Sequence, residues 1–377
     1  MELQEFFMVV AITIGLVSVC MSLINFVRWV WVIFLRPPKK LKEYGSWAII
    51  TGSAQGIGKA LAFEMASEGL NIILVDKNHS ALEATSNELR NKNGGRVEIK
   101  SIVMDLAKLS GEEIVNAIDG GTKGLDVGIL INNAGMSYPF PKFFHEVDLE
   151  LMDNIMKVNM EAATWMTTAV LPGMLKKKKG AIVNIGSSST EIASSFPLYT
   201  LYATTKALMI KVMQVPLFVA TRLAKIQKSS LFIPSPETFS KSSIQWIGHD
   251  NLCTPYWSHS VMGFFGRALP HALLNTTIFW YFLRNRKRGQ LSELQKGSTL
   301  QQQREMGLTC MWAARLSSSR GPLHGAISPS LEAISPRLEA ISPRLDAISP
   351  CLEVISPLLQ GFCFDAKSPR PALGHML

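Results

Sequence analysis

From Ser46 onward the chain alternates short, unbroken apolar runs with longer amphipathic stretches, and this alternation limits the folds open to it. The runs are "WAIITG", "NIILVD", "VEIKSIVMD", "VGILINNAG" and "GAIVNIGSS". Between them lie helical patterns from Gly56 to about Glu68, from Ser80 to Asn91, onward from Gly111, and from Asp148 to about Lys178. A strand wet on one face alternates apolar and polar residues, whereas continuous Val, Ile and Leu mean that both faces are covered. Strands separated by helices and covered on both sides make a doubly wound, Rossmann-like α/β domain with a parallel sheet.

The flanks differ from this core. Residues 6 to 27, "FFMVVAITIGLVSVCMSLINFV", carry no charge over 22 positions, and "WVWVIFL" follows Arg28. That is long enough for a transmembrane helix. Glu2 and Glu5 precede the run, where a signal peptide would have a basic start, and Arg36, Lys39, Lys40 and Lys42 follow it. The positive-inside rule then places the bulk of the chain in the cytosol, with Trp29 and Trp31 at the membrane interface. Pro37-Pro38 opens a linker. The net charge of +9 comes from scattered clusters with no basic, aromatic-interleaved stripe, so no nucleic acid is expected as partner. Five cysteines without a C-x-x-C pair or metal-like spacing indicate a reducing compartment and no metal site. The expected organisation is an anchor over 1–36, a Rossmann-type domain over 45–258, a substrate-covering or membrane-interfacial segment over 259–297, and a tail over 298–377. Within the tail, residues 326 to 359 repeat "AISPRLE" with a period of seven, and a proline in every repeat rules out a coiled coil. The tail is expected to be disordered.

The first strand leads into "TGSAQGIGKA", with glycines at 52, 56 and 58. A glycine-rich turn between a strand and a helix lets the backbone approach a pyrophosphate seated on the helix N-terminus. The second strand ends in Asp76-Lys77. A carboxylate there accepts hydrogen bonds from the adenosine ribose and favours NAD; a cation favours the 2′-phosphate of NADP. Asp76 could instead cap its own turn. Asp105, ending the third strand, is placed to meet the adenine edge, and "NNAG" (Asn132 to Gly135) brings backbone against the cofactor.

Tyr202 and Lys206 are four apart and share a helix face. A phenol is a poor proton donor at neutral pH unless a cation lowers its pKa, and Lys206 could do that while holding the nicotinamide ribose. Ser187, at the end of the fifth strand, offers a hydroxyl to orient a carbonyl. Asn159 is a helix-disfavoured amide suited to hold a proton-relay water.

"TGSAQGIG", "NNAG", Asn159, Ser187 and "YATTK" resemble the short-chain dehydrogenase/reductase family over residues 46 to about 221. "YGSWAIITG", "LDVGILINNAGMSYP", "FHEVD", "QVPLFVAT" and "CTPYW" are similar to its membrane-anchored very-long-chain 3-oxoacyl-CoA reductases, especially of plants, from about Phe34 to Arg288. The resemblance implies NADPH, with NADH as the alternative, an anchor in the endoplasmic reticulum membrane, and the second step of fatty-acid elongation beside other elongase subunits. It makes Tyr202 the proton donor, Lys206 its activator, Ser187 the carbonyl anchor and Asn159 the relay residue. Gly52, Ser53, Gly56, Ile57, Gly58, Asp76, Lys77, Asp105, Asn133, Ala134, Gly135, Tyr202, Lys206, Val219 and Thr221 then line the cofactor. Relatives of this branch also reduce steroid ketones, so a 17β-hydroxysteroid dehydrogenase is the alternative enzyme.

Three features depart from the pattern. Asp76 stands where the branch has a small residue, and Ser188 or Ser189 could replace Ser187. The third is a gap: only Ala207 to Val215 separate Lys206 from Pro216. A helix of ~11 residues, a loop and a strand of ~5 need roughly 20. Most of a core helix and the sixth strand are therefore expected to be missing, leaving Tyr202, Lys206 and Ser187 poorly held. A catalytically inactive membrane protein is the third reading.

Overall fold

The computed structural model describes residues 3–190, 196–207 and 213–318. Two compact units divide the chain at Gln301 and Gln302; the sheet belongs to the first, and of the second only residues 302–318, the end of the helix that begins at His271, are described. The heptad repeats and residues 208–212 of the short link lie outside the described residues.

An apolar helix α1 (Leu3–Val30) runs into a π-helical turn (Trp31–Leu35), and together they are long and apolar enough to cross a membrane. The alternation that follows is β1 (Trp47–Thr51), α2 (Gly56–Ser67), β2 (Asn71–Asp76), α3 (His79–Asn93), β3 (Ile99–Val103), α4 (Gly111–Thr122) and β4 (Val127–Asn132). Then come α5 (Leu149–Met156), α6 (Ala162–Lys176), β5 (Ala181–Ile185), α7 (Thr200–Ala207), β6 (Met213–Gln214), α8 (Pro236–Ile244), β7 (Leu252–Cys253), α9 (Trp257–Ala268) and α10 (His271–Ser318). The seven strands are all parallel in the order β3-β2-β1-β4-β5-β6-β7. The doubly wound fold is as the apolar runs indicated.

Successive strand residues serve opposite layers. Ala48, Ile50, Ile72 and Leu74 pack with Leu61, Met65, Leu82 and Ile244 of α2, α3 and α8. Trp47, Ile49, Ile73 and Val75 pack with Ile114, Ile118, Met166 and Val170 of α4 and α6. Side-chain caps start the helices where the sequence provides them: Asn78 for α3, a Ser110–Glu113 capping box for α4, and Ser235 ahead of Pro236 for α8.

Three expectations change. The long helix after Asp148 is broken by a π turn (Lys157–Glu161) that carries Asn159. The apolar stretch from 261 to 283, interrupted in sequence by Arg267, Pro270 and His271, is divided at Pro270, whose ring cannot continue a helix, into α9 and α10. The tail is helical as far as Ser318, because residues 298–318 contain no proline and are rich in Gln, Leu, Met, Ala and Arg.

The sixth strand is not missing. Met213 and Gln214 pair with Asn184 and Ile185 on one side and with Leu252 and Cys253 on the other. Two residues per strand suffice there because the pairing continues beyond the ladder: Gly186 N–H donates to Gln214 O (2.9 Å), Ser188 N–H to Pro216 O (2.9 Å) and Val215 N–H to Cys253 O (2.8 Å). The first half of β5 has no such neighbour among the described residues. An open notch of about 280 Å³ lies there, lined by Tyr44, Ala181, Val183, Gln214, Trp246 and Asp250 among others.

Candidate active site

The loops after β1, β4 and β5 and the start of α7 meet at the carboxyl end of the sheet, where open α/β sheets bind ligands. In the turn between β1 and α2, Gly52 adopts φ +64°, and an added Cβ would lie 2.9 Å from Ala134 Cα. At Gly58 it would lie 2.3 Å from Gly52 O and 2.4 Å from Asn133 Nδ2. Two strand ends thus interlock through positions that only glycine can fill. Asn133 Nδ2 donates to Thr51 O (2.9 Å) and Gly52 O (3.1 Å), and Thr51 Oγ1 accepts from the N–H groups of Asn133 and Ala134, each at 3.0 Å. Thr51 is the residue that sequence reasoning missed here, although it stands directly before the glycine turn. At the α2 N-terminus Ile57 is partly buried, and an added Cβ on Gly56 would lie 3.6 Å from Thr221 Cγ2. A dinucleotide phosphate fits this donor set, which offers backbone N–H groups and a helix N-terminus.

Asp76 sits at the rim. Its Oδ2 accepts from Ala54 N–H (3.1 Å) and its Oδ1 from Asn78 N–H (3.1 Å), so the carboxylate ties the glycine turn to the start of α3. The turn-capping alternative is therefore realised, and Lys77 beside it is exposed. Ser53 is buried with its hydroxyl on Val75 O (3.3 Å). Asp105 accepts from Ala107 N–H (3.1 Å) in its own turn. Val219 is buried against Phe239 and Tyr256.

The chemistry end is assembled despite the short link. The Ser187 hydroxyl lies close enough to the Tyr202 phenol to pull its pKa down against burial. Ser187 Oγ also accepts from Ser189 N–H (3.3 Å), whereas Ser189 Oγ is buried without a partner among the described residues and Ser188 is held through its backbone. Ser187 is thus the serine on the tyrosine. Lys206 is buried and its Nζ donates to Ile185 O (3.0 Å); an added Cβ on Gly135 would lie 3.1 Å from that Nζ. Asn159 is engaged on both sides: its Oδ1 accepts from Met136 N–H (2.7 Å), and its Nδ2 donates to Met136 O (2.9 Å) and Thr205 Oγ1 (3.0 Å). Both amide hydrogens are used, so its side chain fixes the loop after β4 to α7. Thr205, which in turn donates to Tyr202 O (2.9 Å), had no signal of its own in the sequence.

The electrostatics differ from the expected activation. Burial raises the Tyr202 pKa, with the Ser187 hydroxyl the opposing influence, and burial pushes the Lys206 ammonium down to about 8. The expectation that Lys206 lowers the tyrosine is not met in the protein alone, because desolvation disfavours both charged forms.

An aromatic wall flanks the tyrosine. Tyr138 stacks on Tyr199 (5.3 Å between centroids), and Phe282 of α10 lies 5.0 Å from Tyr199 and 4.9 Å from Phe196. Arg286, one turn further along α10, pairs with Glu146, its Nη2 at 2.6 Å from Oε1, and stacks over Phe143. These partners lie 140 residues apart in sequence, and no local pattern announces them.

The profile of the family described as short chain dehydrogenase matches residues 46–218. A very-long-chain 3-oxoacyl-CoA reductase-like protein of Arabidopsis thaliana is 43% identical over 273 residues, covering 67% of this chain and 86% of the relative. The very-long-chain 3-oxoacyl-CoA reductase of Homo sapiens is 39% identical over 239 residues, covering 58% of this chain and 74% of the relative. Among solved structures, a short chain dehydrogenase of Escherichia coli CFT073 in complex with NADPH superimposes with a TM-score of 0.51 at 19% identity, covering 58% of this chain and 98% of that one. The last likeness concerns the fold.

Proposed function

Because the chain belongs to the short chain dehydrogenase family, a family of oxidoreductases, we propose that it reduces the 3-keto group of a very-long-chain 3-oxoacyl-CoA to the 3-hydroxyl with NADPH. The observation that carries this reading is the buried Tyr202 phenol beside the Ser187 hydroxyl, bordered by the aromatic wall of Tyr138, Tyr199 and Phe282. The wall suits a long apolar substrate, and the names of the relatives point to acyl-CoA. A steroid ketone would meet the same wall, which makes it the competing substrate in the assay.

When bound, the reduced nicotinamide supplies a hydride. The residues of the chain do the rest. Gly52, Gly56 and Gly58 let the backbone approach the phosphates at the α2 N-terminus. Ser187 and Tyr202 hold the carbonyl oxygen between two hydroxyls, and Tyr202 gives that oxygen its proton. Lys206 holds the ribose and, once charged, favours the phenolate left behind. Asn159 and Thr205 keep α7 in register with the loop after β4. NADPH is favoured because Lys77 is free to meet a 2′-phosphate and Asp76 is already committed to two backbone amides.

The short link costs stability rather than chemistry in this reading, since Gln214 to Pro216 still hold the Ser187 loop. The anchor belongs in the endoplasmic reticulum membrane with the catalytic domain in the cytosol, beside elongase partners. The test is consumption of NADPH by purified chain with a long-chain 3-oxoacyl-CoA, with a steroid ketone in a parallel arm. Turnover of the acyl-CoA that disappears in Tyr202→Phe is expected. Turnover that survives Tyr202→Phe, or that appears only with the steroid, overturns the proposal.

A further inference from the structure

Helix α9 and the first turns of α10 carry a row of large apolar side chains in solvent: Phe264 is 65% exposed, Phe265 62%, Leu269 43%, Leu273 54% and Trp280 65%. Phe264 and Phe265 lie on α9, Leu269 in the break between the helices, and Leu273 and Trp280 are seven apart on one face of α10. The opposite side of α10 is committed to the protein, with Phe282 buried in the aromatic wall and Arg286 on Glu146. Beyond Trp280 the exposed residues turn basic, with Arg284, Lys287 and Arg288.

The row is not isolated from the anchor. Trp29, near the end of α1, donates its indole N–H to Ser260 Oγ of α9 (2.8 Å). Arg36, just past the anchor, pairs with Asp250 (2.7 Å) and lies over Trp246. The helix bearing Phe264 and Phe265 is therefore fastened to the point where α1 meets the folded domain.

Neither element can cross a bilayer by itself. Helix α9 has 12 residues and ends before Pro270, and the uncharged start of α10 ends at Arg284, whereas a span needs ~20. A short amphipathic segment with aromatics on one side and cations beside them has the chemistry of a helix lying in the interface plane. The cations suit anionic headgroups.

We propose that α9 and the start of α10 form a second, monotopic contact with the same bilayer that α1 enters, Phe264, Phe265, Leu269, Leu273 and Trp280 dipping below the headgroups. This rests on reading α1 as a membrane span. Since Phe282 on the other face of α10 borders Tyr202 through Tyr199, the contact sets the catalytic wall directly above the lipid from which a long-chain substrate would come.

Depth-dependent quenching on the full chain in vesicles tests the contact. Cys20, Cys310, Cys351 and Cys363 are replaced by serine, the buried Cys253 is left, and one cysteine carrying an environment-sensitive dye is placed at 265, at 16 in α1, or at the exposed Leu149 of α5. Vesicles of phosphatidylcholine with phosphatidylserine carry a quencher either high or low on the acyl chain. The label at 16 is expected to be quenched most by the deep quencher and the label at 149 by neither. The label at 265 should be quenched most by the shallow one, at the ~5–10 Å depth of an interfacial helix. A label at 264 serves as a second reporter should Phe265→Cys disturb α9. If 264 and 265 behave like 149 while 16 is quenched, the contact does not exist and the row faces another protein or water. If 16 also escapes quenching, the anchor reading fails and takes this proposal with it.

Discussion

Insertion of about ten residues between Lys206 and Gln214, chosen to lengthen α7 and to extend β6 beside Ala181–Val183, should stabilise the protein without accelerating its chemistry. The notch such an insert would fill measures about 280 Å³. At ~24 cal/mol per Å³ a sealed void of that size would be worth about 7 kcal/mol, a ceiling because this one is open to water. Taking a third to a half of the ceiling gives roughly 2–3 kcal/mol. For a domain of this size that corresponds to a rise in Tm of ~4–12 °C, at ~2–4 °C per kcal/mol. Melting followed by near-ultraviolet circular dichroism in detergent reads the stability, and kcat per folded molecule reads the chemistry. The two separate because Ser187 is already fixed by Gln214 and Pro216, and Tyr202 already reaches it. Were the site disordered by the short link, displacement of a catalytic group by ~1 Å would cost ~10²-fold in rate, and filling the gap would restore it. A jump of that size in kcat, or a Tm unchanged by the insertion, refutes the reasoning.

Cofactor binding should be linked to protons. The Lys206 ammonium sits at about 8 in the free protein, against ~10.4 in an unfolded chain. Its unfavourable contribution to stability is full below pH 8 and fades as pH rises from 8 towards 10.4, where only the unfolded chain still binds the proton. Ribose oxygens around the Nζ favour the charged form, so dinucleotide binding above pH 8 should take up a proton; calorimetry in two buffers of different ionisation enthalpy measures it, and Lys206→Met should abolish it. Asp76→Ala removes a carboxylate from the rim and should shift preference further towards NADPH by ~10-fold, the ~1.4 kcal/mol typical of one charge-assisted contact, in a fluorescence titration of both cofactors. The sequons at Asn78 and Asn275 should stay unmodified in cells, because the proposed topology keeps the domain in the cytosol and Asn78 already caps α3 through Ala81 N–H (3.0 Å). A mass shift on glycosidase treatment would reverse the topology.

What the sequence made legible was what local periodicity and local spacing encode. The continuous Val, Ile and Leu runs defined five strands because burial on both faces leaves no polar alternation. The glycines before α2 and the Tyr202–Lys206 spacing marked the site because each requirement is met within one turn of chain. Asn159 was found but its partners were not, since Met136 and Thr205 reach it only after β4 and α7 come together. The π turn that presents it has no sequence signature beyond a disfavoured amide. Phe282 and Arg286 escaped for the same reason: their partners, Tyr199 and Glu146, are remote in sequence. The pKa reading erred because spacing gives proximity but not burial, and burial dominates both Tyr202 and Lys206.

The most instructive difference concerns the gap. Counting residues gave a sound total but a wrong location for the loss, because it treated helix and strand as units that are present or absent. A parallel strand is used unevenly: its carboxyl end carries the site, and its amino end serves mainly to complete the ladder and the layer. Met213 and Gln214 supply the carboxyl end alone, pairing with the last two residues of β5 and handing the chain to Val215 and Pro216 beside Ser187. Gln214 is anchored from below as well, its Nε2 donating to Ser243 O of α8 (2.9 Å). Helix α7 likewise keeps the turn bearing Tyr202 and Lys206 and is described to Ala207. The notch beside the first half of β5 is lined by none of Ser187, Tyr202 and Lys206. An edge left open there lowers stability without touching Ser187, Tyr202 or Lys206, which is why the insertion is expected to raise Tm and leave kcat unchanged.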